Sequence, residues 1–210
     1  LVLRHRKEPA VYLVFAEHIG DDKFVFDYEK PFYPTVKALV EKYGIKSLVE
    51  TGVGSVSSGL VAADALGIQG YGCDIFLPRV EWARARHPNA KVTHDESLHY
   101  LRTLLPTIEG PVFFWLDAHF PDMQNFAGEK VDGPAWPLYQ EVEVIRELCP
   151  ELSRSVVWCD DLQVITGAED HLYAQYPQIY DHKPEEYGDP LAATHDFSIT
   201  EYVMRLEPRA

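Results

Sequence analysis

The apolar positions of this chain change period repeatedly along its length. Val11–Phe15 and Lys23–Phe26 are β-rich runs separated by Gly20-Asp21-Asp22, which predicts an N-terminal β-hairpin within residues 1–30. After Pro31, residues Val36, Leu39, Val40 and Tyr43 fall at helical spacing, and Gly44 stands where a helix end needs a left-handed residue. From there the pattern alternates. Strands are expected at Ile45–Val49, Ile68–Cys73, Ala90–Thr93, Val112–Leu116 and Ser155–Trp158. Helices are expected at Ser55–Leu66, Leu77–Arg86, Glu96–Leu105 and Leu138–Leu148. Val112–Leu116, apolar at every position, reads as a central strand buried on both faces.

Strand-helix alternation with short connections predicts an α/β fold: a Rossmann-like three-layer sandwich with a mostly parallel central sheet between helices. The tail breaks the rhythm. Gln178–His182 and Ser198–Leu206 look like strands separated only by the polar stretch Lys183–Asp196, so an antiparallel pair is expected within residues 178–206. The 210 residues read as one domain, with a core at residues 45–161.

Composition narrows the classes of partner. Thirty-three acidic residues against nineteen basic ones leave a net charge of −14, which repels phosphate backbones and anionic membrane surfaces. No apolar run approaches the roughly 20 residues of a membrane-spanning helix. Cys73, Cys149 and Cys159 form no C-x-x-C pair and no even disulfide set, as expected of a cytoplasmic protein. The chain opens on Leu1 without an initiator Met, so a targeting segment upstream is not addressed by it. The apolar hairpin edge between Val11 and Phe26 is one that two subunits can share in a homodimer.

Candidate chemistry lies at the strand ends. In an open α/β sheet, ligands bind beyond the carboxyl ends of the strands, and those ends carry Glu50, Asp74, Asp95, Asp117 and Asp160-Asp161. Gathered negative charge costs free energy unless a cation or hydrogen-bond donors answer it. Glu50-Thr51-Gly52-Val53-Gly54 is a glycine turn between strand and helix. A dinucleotide fingerprint would have a third glycine where Ser57 stands, and Glu50 would repel a pyrophosphate, so the turn suits a cationic ligand better. A tight structural turn, with Asp74 and Asp95 as helix caps, is the simpler alternative.

In these motifs the chain resembles the class I S-adenosylmethionine-dependent methyltransferases over Ile45–Asp161 and the tail strands. The resemblance implies that Glu50 lies near the methionyl amine, that Gly52 and Gly54 let the cofactor cross the turn, and that Asp74 accepts both ribose hydroxyls. It places Asp95-Glu96-Ser97, hence Asp95 and Ser97, at the adenine edge. Val56 stands where the family often has a further glycine.

A second constellation is Asp117, His119, Asp160 and Asp161. Three carboxylates at the ends of adjacent central strands are hard oxygen donors suited to Mg²⁺ or a similar divalent cation. This resembles the divalent-metal-dependent O-methyltransferases, such as catechol O-methyltransferase, in which Asp117, Asp160 and Asp161 would be the metal ligands. Those enzymes carry a Lys where this chain has Phe120. His119 is a candidate general base, alongside metal-ligand and structural roles. The stretch from His119 to Pro137, long for a loop and carrying Phe120, Met123, Phe126 and Trp136, suits a substrate lid. Lys183–Asp196, with Tyr187 and His195, is a second wall or a solvated linker.

The expectation is therefore a methyltransferase acting on a hydroxyl of a small molecule, with catalytic Asp117 and His119. The alternatives are a nicotinamide-dependent oxidoreductase and a non-catalytic cofactor-binding module of the same fold.

Overall fold

A computed structural model describes residues 33–54, 57–118, 137–160, 184–200 and 203–209. The elements run α1 (Tyr33–Tyr43), β1 (Ser47–Thr51), α2 (Ser58–Leu66), β2 (Gln69–Asp74), α3 (Leu77–Arg86), β3 (Lys91–His94), α4 (Ser97–Leu104), β4 (Val112–Leu116), α5 (Leu138–Leu148), β5 (Val156–Cys159), β6 (His195–Thr200) and β7 (Val203–Pro208). They build a seven-stranded sheet of order β3-β2-β1-β4-β5-β7-β6. Strands β1 to β5 are parallel, and β7 runs antiparallel to both β5 and β6. Sheet order reverses between β1 and β4, which opens a crevice at their carboxyl ends.

The period of two sorts the strand residues into two cores. Val49, Cys73, Val112, Phe114, Leu116, Val157, Cys159, Met204 and Leu206 pack with Leu101 of α4 and Leu138, Val142 and Ile145 of α5. The alternate residues Leu48, Phe113, Trp115, Val156 and Trp158 meet Val36, Leu39 and Val40 of α1. A smaller cluster joins Leu60 of α2 to Val80 and Ala83 of α3 and Val92 of β3. Trp158 is fully buried, with the Phe113 ring edge-on at 5.3 Å and the Arg205 guanidinium 4.4 Å above it. The fold class expected from the sequence is thus present.

The tail differs in detail. The single strand expected at Ser198–Leu206 is two strands, β6 and β7, and Thr200 pairs with Val203 across the reversal. Neither Gly nor Pro marks that reversal in Thr200-Glu201-Tyr202-Val203, so the β-rich pattern reads straight through it. The antiparallel pair is β6 with β7, and Gln178–His182 lies outside the described residues, as does the hairpin of residues 1–30. The polar stretch before β6 contains a 3₁₀ segment, Pro184–Leu191.

His195, expected in a second wall or a solvated linker, is instead the first residue of β6 and only 1% exposed. Its Nε2 donates to the Ser155 carbonyl at 2.9 Å and its Nδ1 lies 2.8 Å from the Thr194 hydroxyl. Burial lowers its pKa, so the ring is a neutral structural pin.

The sheet also needs small residues where β2 passes under the glycine turn. A Cβ at Gly72 would stand 2.6 Å from Val53 Cγ1, closer than packed atoms approach. Gly72→Ala is expected to destabilise the protein by about 1–3 kcal/mol. The Val53→Ala/Gly72→Ala double variant should be more stable than the sum of the single effects, as measured by urea unfolding.

Candidate functional site

The parallel register brings the carboxyl ends of β1 to β5 to one edge. Thr51 pairs with Cys73 on one side and Leu116 on the other, and Leu116 pairs with Cys159. The next residues out on β2, β4 and β5 are Asp74, Asp117 and Asp160, while Asp95 follows β3 directly. Asp117 N–H donates to Thr51 O at 3.0 Å and Asp160 N–H to Leu116 O at 3.1 Å, which continues the ladder past the strands.

The glycine turn is shaped by contact with β4. Gly52 has φ +70°, and a Cβ there would lie 2.5 Å from the Asp117 carbonyl oxygen. Only glycine meets both conditions. Gly54 has φ +55°, and a Cβ added there would meet the Gly52 carbonyl oxygen at 3.7 Å, an ordinary packing contact among the described residues.

Glu50 is 1% exposed and lies beneath this turn. Its Oε1 accepts from Gly59 N–H and its Oε2 from Leu60 N–H, both at 3.1 Å. These are first-turn donors of α2, otherwise unmatched within the helix, at the positive end of its dipole.

Asp74 links the turn to β2. Its Oδ2 accepts from Gly54 N–H at 3.0 Å and its Oδ1 from Phe76 N–H at 2.8 Å. Arg79 Nη1 stands 3.8 Å from Oδ2. Burial pushes the Asp74 pKa up, against the pull of the Phe76 and Gly54 N–H groups, Arg79 and His94.

Asp95 and Ser97 sit at the start of α4. The cap of that helix is Glu96, one residue beyond the expected Asp95, and it accepts from Leu98 and His99 N–H, each at 3.0 Å. Asp95 instead binds His99 Nδ1 at 2.7 Å and accepts from Glu96 N–H at 2.9 Å. Likewise Asp74 bonds ahead of α3, whose cap residue is Phe76. The Ser97 side chain is buried and turned inward, with its hydroxyl 3.4 Å from Glu96 Oε1.

Of the expected metal ligands, Asp117 and Asp160 leave neighbouring strands, while Asp161 lies outside the described residues, as does the candidate base His119. No group of three or more His, Cys, Asp or Glu side chains among the described residues is arranged to hold a metal ion. Most of the expected lid, residues 119–136, and the side chain of Tyr187 are also outside them.

One residue was not anticipated. Glu141, in the first turn of α5, is 1% exposed, and its Oε1 makes no well-formed hydrogen bond among the described residues. The Ser97 and Thr51 hydroxyls lie beside the carboxyl and favour its charged form, but burial outweighs them. With Glu96 and Asp117 adding repulsion, its pKa is pushed up to about 7. A signal exists in the sequence: Leu138, Glu141, Val142 and Ile145 share one helical stripe, so an acid stands on the apolar face.

No protein-family model matches the chain, and no curated protein matches it by sequence. Solved structures do match by fold. The SAH-bound methyltransferase PaMTH1 of Podospora anserina superposes with a TM-score of 0.56 at 12% identity, over 93% of this chain and 88% of that one. A putative caffeoyl-CoA O-methyltransferase from Staphylococcus aureus gives 0.52 at 10% identity, covering 93% and 97%. The O-methyltransferase of Bacillus cereus, in complex with SAH, gives 0.52 at 14% identity, covering 97% and 93%.

The raised pKa of Glu141 has a testable consequence. Because its folded value of about 7 exceeds the ordinary 4.5, the fold favours the neutral form. Its contribution is fully present below pH 4.5 and declines as pH rises to 7, by roughly 3 kcal/mol in all. Chemical unfolding at a series of pH values should show wild type losing stability relative to Glu141→Gln across that window. At these identities the likeness is one of architecture: the chain has the Rossmann-like fold of the S-adenosylmethionine-dependent methyltransferases and, in it, resembles their O-methyltransferases.

Proposed function

We propose that this protein is a methyltransferase that moves the methyl group of S-adenosylmethionine to a hydroxyl oxygen of a small molecule, aided by a divalent cation. The observation that carries the reading is the joining of Gly54 N–H to the Asp74 carboxylate at 3.0 Å, beside the crevice where sheet order reverses. It combines a glycine turn with a buried acceptor for a vicinal diol, beside the buried carboxyl of Glu50.

When bound, the cofactor supplies an electrophilic methyl group on a sulfonium, which departs as a neutral thioether. Gly52 and Gly54 let it approach the backbone, and Glu50 favours its positive end through charge rather than direct bonding. Asp74 uses its remaining lone pairs for the ribose hydroxyls. Asp95 and Ser97 bound the adenine end.

Asp117, Asp160 and Asp161 are assigned to the cation, and the exit of Asp117 and Asp160 from adjacent strands fits that donor set. A bound divalent cation would lower the pKa of an attached substrate hydroxyl. His119 follows Asp117 by two residues and is assigned to take that proton. The net charge of −14 favours a small acceptor over a nucleic acid, and no described helix is long and apolar enough to cross a membrane.

Calorimetric titration with S-adenosylhomocysteine should show binding by the wild type and at least a tenfold loss in Asp74→Ala. A wild type without binding overturns the reading. Once an acceptor is in hand, chelation should abolish turnover and Mg²⁺ restore it; turnover indifferent to chelator would refute the metal assignment and leave the methyltransferase reading standing.

A further inference from the structure

We propose that Arg79 is a positioning residue for ribose binding, anchoring the Oδ2 edge of Asp74 from the first turn of α3 so that the carboxylate stays an acceptor. This rests on the reading of Asp74 as the ribose acceptor.

The first observation concerns the carboxylate. Asp74 is 4% exposed, and each of its oxygens accepts one peptide N–H, from Gly54 and from Phe76. An ionised carboxylate has about four acceptor positions. The two left over match the two hydroxyls of a ribose, whereas a protonated carboxyl would lose an acceptor and put a proton where the diol donates. Binding of a diol therefore requires the charged form, which burial opposes.

The second observation concerns where the cation stands. Arg79 is the third residue of α3, in a first turn that contains no acidic residue. A cation there opposes the helix dipole, so local helix energetics do not account for it. A buried charge partner does: Nη1 lies 3.8 Å from Asp74 Oδ2, and the guanidinium carbon is 5.9 Å from the centre of the Phe76 ring. Phe76 is also the residue whose N–H binds Oδ1, so residues 74 to 79 close on themselves around the carboxylate.

The other charged groups nearby do not replace Arg79. His94 on β3 faces Asp74 and also favours its charge, but is engaged through Nε2 with the Ile75 carbonyl at 2.9 Å. The Asp95 carboxylate is turned to His99, and that of Glu50 is turned onto α2. Burial raises the pKa of the adjacent Cys73, which keeps the thiol neutral.

The test uses the full chain. Carbon-13 NMR of the Asp74 carboxyl reads its titration midpoint directly, and calorimetry reads S-adenosylhomocysteine affinity from pH 5 to 8. Arg79→Gln should raise the Asp74 midpoint by about one pH unit, and the loss of affinity on acidification should begin correspondingly higher. Arg79→Met serves if the Gln variant folds poorly, and Arg79→Lys should keep the wild-type midpoint to within about half a unit. Asp74→Asn should bind weakly with a flat profile. A wild-type midpoint and profile in both Arg79→Gln and Arg79→Met would overturn the proposal. A wild type that binds no S-adenosylhomocysteine would overturn the cofactor reading instead, while the Asp74 midpoints would still decide whether Arg79 acts on that carboxylate.

Discussion

The close approach of Gly52 to the end of β4 organises this edge of the molecule. No side chain fits between residue 52 and the Asp117 carbonyl, because a Cβ would stand 2.5 Å from that oxygen. The β1 turn can therefore settle against β4, and the Asp117 N–H reaches Thr51 O at 3.0 Å. From that contact follows the position of the crevice between the two halves of the sheet. The same contact sets Asp117 beside the turn, so the glycine turn and the end of β4 are held by one piece of backbone.

The acids at this edge are not alike once their partners are known. Glu50 and Asp74 are buried and answered by peptide N–H groups, with Arg79 as a further counter-charge at Asp74. Asp95 is paired with a histidine and Glu96 with a helix end. Much of the apparent repulsion along the edge is thus relieved by backbone donors, which are stationary and cost no side-chain entropy to aim. Burial works against both Asp74 and Glu141, raising the Asp74 pKa despite its donors and that of Glu141 to about 7.

Legibility followed the length scale of each signal. The parallel strands β4 and β5 could be read because each is a short apolar run, β1 to β3 from their alternation with helices between turn residues, and the helices because their apolar spacing is regular. The boundary between β6 and β7 was not, because the sequence between the paired Thr200 and Val203 contains neither Gly nor Pro and both flanks favour strand. His195 looked like loop chemistry because its polar neighbours hid a buried position that bonds the Ser155 carbonyl, forty residues back in the chain. Glu141 could have been caught by its place on an apolar stripe, although no sequence rule says that its neighbours would be Ser97 and Thr51.

The sequence by itself determined the alternation of elements, the glycine turn and the presence of an acid after each strand, because these depend on local period and on residues whose backbone preferences are strong. Only the tertiary structure decided what each acid does. Whether a carboxylate faces a helix N-terminus, an arginine or a buried hydroxyl depends on which strands become neighbours and in what register. Residues 50 and 59, 54 and 74, and 97 and 141 meet because the sheet brings them together, and the free energy of each charge is set by that meeting.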